Sequence, residues 1–163
     1  MVIAMTANDY MMQYRRIRER ILKEKETITA LESISERTTT SMSDIRVNCS
    51  DDFRRIEEAV SQLVKKREQV SALEADGQML FVEILHNITR FAYRQGAVLI
   101  DYYLEGKTLQ DVGQRCGQKS RQWALDTRRK GEAVIQTAME KHPAMFTKYD
   151  MDAGLNNSTK NGR

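Results

Sequence analysis

Positions that force the backbone out of a helix are scarce in this chain. Its 163 residues include one proline, Pro143, and eight glycines, so little interrupts helical hydrogen bonding. Cysteine is nearly absent. Cys49 and Cys116 stand far apart in unrelated surroundings and give neither a metal-ligand spacing nor a disulfide framework. Reduced thiols in a cytoplasm are expected. Histidine is as rare. His86 and His142 have no His, Cys or carboxylate partner at a ligand spacing, so neither a metal site nor a nucleophile–base pair is expected. No apolar run of the length that spans a bilayer exists. The opening MVIAMTANDY is too short, and too polar downstream, for a signal peptide. A glycine-rich phosphate loop is missing too. Gly106-Lys107-Thr108 matches the end of such a loop, but its earlier glycine and leading strand are lacking. The expectation is a soluble cytoplasmic protein that is not an enzyme, with no cofactor, membrane partner or small-molecule substrate.

What remains is abundant Arg, Lys, Glu, Gln, Met and Ala, a composition that favours helix throughout. Charged residues make up 30% and hydrophobic residues 40%, which allows only a modest core beneath much solvated helix surface. The net charge of +3 is small, but its distribution is uneven. Arg90 to Lys130 holds nine Lys/Arg against four Asp/Glu, while Asp51 to Ile88 holds five against eight. The positive field therefore belongs to the C-terminal half, where a polyanion would be met.

The spacing predicts a long helix from about Asn8, capped by Asn8 or Thr6. Tyr14, Ile17, Ile21, Ile28 and Leu31 follow three- and four-residue steps, with Glu24 as the charged member of the stripe. So narrow a seam is of coiled-coil type. The helix is expected to fray near Glu36, where ERTTTSMSDIRVNCSDD brings side chains that compete for backbone hydrogen bonds. Met42, Ile45 and Val47 are expected to tuck against the helices. Ser50, Asp51 and Asp52 offer a cap and an acidic first turn to a second long helix from about Asp52. Its stripe is Ile56, Val60, Leu63, Val70, Leu73, Leu80, Phe81, Ile84, Leu85 and Ile88. Gly77 interrupts it, as a close helix crossing or a tolerated defect. The simplest arrangement is an antiparallel hairpin over residues 6–88, with homodimerisation through this arm as an option.

Residues 89–142 read as a DNA-binding domain. Gly96 to Leu104 form a first helix with Val98, Leu99, Tyr102 and Tyr103 inward. Gly106 ends it with positive φ. Thr108 caps the next helix, with Asp111 in the capping-box position, and Leu109, Val112 and Cys116 make its apolar face. Gly113 is small where a close crossing is needed, and Gly117 makes the sharp turn. A last helix starts at Lys119 or Ser120 with Arg121, Gln122, Arg128, Arg129 and Lys130 in its first three turns. Arg and Gln are suited to base edges, Lys and further Arg to phosphates. Trp123 is expected inward with Thr127, Val134 and Ala138. From residue 143 the tail lacks apolar periodicity and is expected to be disordered.

LIDYYLEGKTLQDVGQRCG followed by KSRQW resembles the region-4-like helix-turn-helix of sigma factors. The wider layout adds Met5-Thr6, the TTTSMSD and CSDD segments and a second long helix. It is similar to a family of sigma-like late-gene transcriptional regulators in phages and prophages of Gram-positive bacteria. The resemblance spans about Met5 to Ala138. It implies an all-α fold, a long N-terminal helical hairpin followed by a sigma-region-4-like helix-turn-helix. It puts Ser120, Arg121, Gln122, Ala124 and Leu125 at base-facing positions, and Arg128, Arg129 and Lys130 at phosphates. Asp126 stands where that pattern has a core aliphatic, with Thr127 as its replacement.

The expected partner is double-stranded DNA, contacted by Lys107, Thr108, Lys119, Ser120, Arg121, Gln122, Ala124, Leu125, Arg128, Arg129 and Lys130. The expected role is a sequence-specific transcriptional regulator, an activator of phage late genes acting with host RNA polymerase in a bacterial cytoplasm. Two other readings stay open. One is a DNA-packaging recognition subunit resembling a small terminase. The other is a helical factor that binds polymerase without reading bases.

Overall fold

A computed structural model describes residues 4–41 and 49–150, and among these residues every regular element is helical. Two long helices, α1 (Ala7–Ser41) and α2 (Cys49–Phe91), are followed by a 3-10 turn at Tyr93–Gln95. Next comes α3 (Gly96–Leu99), which runs on into a π-helical turn, Ile100–Leu104. Then follow α4 (Leu109–Arg115), α5 (Arg121–Lys141) and a 3-10 turn at Pro143–Met145. No described helix is long and apolar enough to cross a membrane. α1 continues past Glu36 to Ser41, and α2 begins at Cys49 rather than Asp52. The expected loop is therefore shorter than its Thr and Ser content suggested. Met42, Ile45 and Val47 lie outside the described residues.

Thr6, rather than Asn8, caps α1. Its hydroxyl accepts from the Asp9 N–H at 3.1 Å and donates to the Asp9 carboxylate at 2.7 Å, which satisfies an orphan donor of the first turn. α1 and α2 run antiparallel, as three pairings show. Tyr10 meets Asn87, Ile17 meets Gly77, and Glu24 meets Lys66. A Cβ added at Gly77 would lie 3.1 Å from Ile17 Cγ2, so this glycine marks a close helix crossing. Glu24, the charged member of the α1 stripe, pairs with Lys66 at 2.7 Å. Lys25–Glu74 and Arg67–Glu32 add two further ion pairs across the helices, each at 2.6 Å. The buried hydrophobic side chains of α2, among the described residues, are Leu63, Val70, Leu73, Leu80, Ile84 and Ile88. Val60, expected in that stripe, is instead 46% exposed.

The main core lies where the long helices meet the C-terminal elements. It joins Ala7, Tyr10 and Met11 of α1, Ile84 and Ile88 of α2, Leu99 of α3, Tyr103 and Leu104, Ile135, Ala138 and Met139 of α5, and Phe146. Each large apolar side chain buried here is worth about 1.5–3 kcal/mol. The C-terminal elements thus share one core with the long helices. Polar groups in this core are satisfied. Asn87 donates to the Tyr10 hydroxyl at 2.8 Å, and Tyr10 donates to Glu83 at 2.9 Å. Burial, together with the Glu83 charge, raises the Tyr10 phenol well above its ordinary range, so it stays a donor.

Disorder from residue 143 onward is corrected for residues 143–150. Phe146 is 7% exposed and packs edge-on against Tyr10, centroids 5.0 Å apart. Gln13 clamps the segment, donating to Thr147 O at 3.0 Å and accepting from Tyr149 N–H at 2.6 Å. Thr147 also binds the Glu83 carboxylate through both its N–H and its hydroxyl. The Tyr149 hydroxyl reaches Asp76 at 2.7 Å. Residues 151–163 lie outside the described residues.

Candidate nucleic-acid interface

The C-terminal elements form a small second core of their own. Val98 of α3, Val112 of α4 and Ala124 of α5 are buried together, with Tyr102, Leu109, Cys116 and Trp123 half-buried around them. This matches the inward faces read from the spacing of α3 and α4. Thr108 caps α4, accepting from Asp111 N–H at 3.2 Å and donating to the Asp111 carboxylate at 2.6 Å. Ser120 caps α5, its hydroxyl accepting from Trp123 N–H at 3.1 Å. These local caps fix where each helix begins.

The link between α4 and α5 is tight. Gly117 has φ 95°, and Gln118 follows with φ 58°. Glycine enters that region without cost, whereas Gln118 adopts it as a single strained residue. The Lys119 N–H then donates to Gly113 O at 2.7 Å. A Cβ at Gly113 would stand 2.5 Å from Lys119 O and 2.9 Å from Ser120 O. The glycine is therefore needed for close approach of the turn's backbone, and it sets the angle at which α5 leaves α4.

The rotational phase of α5 differs from expectation. Its buried residues are Ala124, Gly131, Ile135, Ala138 and Met139. Gly131 admits Leu99, whose Cδ1 would lie 2.8 Å from an added Cβ. Trp123 is half-buried at the edge of the second core, and Val134 is exposed. Of the expected inward line Trp123, Thr127, Val134 and Ala138, only Ala138 is buried, and toward the start of the helix the inward line is shifted one residue, to Ala124. One site residue changes meaning. Ala124, expected to face bases, is fully buried between Val98 and Val112, so its methyl cannot touch a thymine. Asp126, which stands where the sigma-like pattern has a core aliphatic, is exposed, and Thr127, its expected replacement, is half-buried. The sequence holds a signal for this phase, because Ala124, Gly131, Ile135 and Ala138 step by seven, four and three. Ala124, Gly131 and Ala138 are small, which hid it beside the tryptophan.

The outward face of α5 carries Gln122, Asp126 and Arg129, flanked by Arg121, half-buried Leu125 and Lys130. Gln122 Nε2 donates to Asp126 Oδ1 at 3.0 Å. Lys119, Arg121, Arg129 and Lys130 are exposed and enter no ion pair among the described residues. They stand just before and along the first three turns of α5, with its N-terminus and the exposed Gln122 amide.

Arg128 and Lys107 do not join that set. The Arg128 guanidinium lies over the Tyr102 ring, 4.7 Å from its centroid. Its Nε stands 2.9 Å from Glu132 Oε1, a charge pair whose angle falls outside hydrogen-bond geometry. Glu132 also accepts from the buried Tyr103 phenol, with the Asn8 amide 2.8 Å away. Burial and Glu132 raise that phenol above its ordinary range. Lys107 pairs with Glu105 and with Asp101, the latter at 3.3 Å. Arg115 closes the cluster, 3.0 Å from Glu105 and 3.5 Å from Asp101. Burial lifts the Asp101 carboxyl above its ordinary range, against the opposing pull of Arg115. Thus of eleven residues read as DNA-contacting, Ala124 is buried, and Arg128 and Lys107 are held in internal ion pairs.

Chemically, this surface offers positive charge and hydrogen-bond groups in a row along a convex helix. Among the described residues, no three His, Cys, Asp or Glu side chains gather to hold a metal ion. Neither a protein-family model, nor a curated protein, nor a solved structure matches this chain.

Proposed function

We propose that this chain is a sequence-specific DNA-binding regulator of transcription, with α3 to α5 acting as a sigma-region-4-like helix-turn-helix. α5 enters the major groove by its N-terminal half. Arg121 and Gln122 face base edges, and Lys119, Arg129 and Lys130 hold phosphates. The antiparallel helices α1 and α2 are a coiled-coil-type arm that anchors the reader through the shared core. The resemblance to late-gene regulators makes host RNA polymerase the machinery acted on, and activation of phage late genes the outcome.

One observation carries this reading. Lys119, Arg121, Arg129 and Lys130 lie close together around the start of α5, exposed and without an ion-pair partner among the described residues. A face of unpaired cations around a helix N-terminus suits a polyanion.

The test is duplex binding by the full chain across a salt series, with sites selected from random sequence. Affinity that falls steeply with salt, and a recovered consensus, support the reading. Salt-independent binding, or none at low salt, overturns it.

A further inference from the structure

The cationic face carries one acidic group. Asp126 is exposed and holds Gln122 at 3.0 Å, one turn earlier on the helix. Arg129 and Lys130 stand three and four residues on, at spacings suited to an ion pair, yet neither pairs with Asp126 among the described residues. Among the described residues its hydrogen-bond partner is the Gln122 amide. A carboxylate with no cation beside it, on a surface that meets phosphates, weakens every non-specific contact. Its position is useful only where something offers it a donor.

We propose that Asp126 is a specificity-determining residue that accepts a hydrogen bond from the N4 amino group of a cytosine in the major groove. This rests on the DNA-binding reading above. Carboxylates are suited to that donor. Adenine also presents an amino group, but its N7 acceptor lies beside it and repels a carboxylate, whereas cytosine has only a C–H there. Gln122 gives one N–H to Asp126, which keeps its second N–H and its carbonyl for a second base, the pattern that adenine matches. The two residues are separated by about 6 Å along the helix, between one and two base steps of about 3.4 Å. The pair therefore reaches positions one or two steps apart.

The experiment is site selection from random duplexes by the full chain and by D126A, D126N and Q122A. Binding to one fixed unrelated duplex is measured alongside. The wild type is expected to select a cytosine at one position. D126A should lose that preference by about tenfold while binding the unrelated duplex more tightly. D126N should move the preference at that position toward adenine, because an asparagine amide matches adenine. Q122A should keep the cytosine and lose selection at a second position one or two steps away. If the wild type has a consensus and both Asp126 variants reproduce it unchanged, this inference falls and the DNA-binding reading stands. If the wild type binds no duplex, both fall together.

Discussion

The Arg128 guanidinium sits on the face of Tyr102, 4.7 Å from the ring centroid, with Glu132 beside it. The side chain is only 19% exposed, so its charge is spent inside the protein. Its neighbours Arg129 and Lys130 are exposed and unpaired among the described residues. Three consecutive cations thus have two different roles.

Arg128→Ala is expected to lower stability by about 1–2 kcal/mol, through loss of the cation–π contact and of the partner of Glu132. It should leave the salt dependence of DNA binding unchanged. Arg129→Ala and Lys130→Ala should each reduce the salt slope by about 1 and change stability by less than about 0.5 kcal/mol. Urea unfolding and salt-series binding separate the two outcomes.

Gly113→Ala forces a methyl to within 2.5 Å of Lys119 O. Backbone cannot swing aside as a side chain can, so a cost of about 1–3 kcal/mol is expected, together with weaker DNA binding as α5 tilts. Gly117→Ala meets no atom within 4 Å but must hold φ 95°, a strain of about 1–2 kcal/mol. Thermal unfolding of both variants, with binding of the selected duplex, distinguishes displacement from simple strain.

Gln13→Ala removes the donor to Thr147 O and the acceptor for Tyr149 N–H. Losing two part-buried hydrogen bonds, each worth about 0.5–1.5 kcal/mol, should cost about 1–3 kcal/mol in all. The loss should be local. Protease cleavage within residues 143–150 and hydrogen exchange at Tyr149 should accelerate, while the α4–α5 pair keeps its protection.

Asp101 gives stability a definite pH dependence. Burial raises its carboxyl pKa in the folded protein, so the folded state takes up a proton before the unfolded chain does. Its contribution is unfavourable at neutral pH and improves as pH falls through the folded pKa toward the ordinary value of about 3.9. The stability of the wild type relative to Asp101→Asn should therefore rise between pH 7 and about pH 4. Asp9 acts with the opposite sign and in a lower window. The Thr6 hydroxyl holds its carboxyl below the ordinary range, so its contribution is lost only as pH falls below about 3.9. Urea midpoints over that range check both signs.

Signals carried by a few neighbouring residues were legible before any coordinates. Thr108 and Ser120 cap their helices, Gly117 makes the turn, and Val98, Leu99, Val112 and Tyr103 face inward. Cap hydrogen bonds and glycine's access to positive φ act within one helical turn, so the local sequence suffices. Tyr10, Met11 and Gln13 were missed as buried residues. Their burial depends on Phe146, Thr147 and Tyr149, which arrive from the other end of the chain.

By itself, then, the sequence determined an all-helical chain, the starts of α3 and α4, its sharp turn and the half of the molecule that carries the positive charge. Tertiary structure decided the rest of the candidate interface. It rotated α5 so that Ala124 is buried and Asp126 is exposed, and it neutralised Arg128 and Lys107 while leaving Arg121, Arg129 and Lys130 in solvent. The reason is physical. A helix can form in any rotational phase, and a cation can face any direction. Only the surfaces packed against them, here Val98, Leu99 and Val112 below α5 and Tyr102 beneath Arg128, select one.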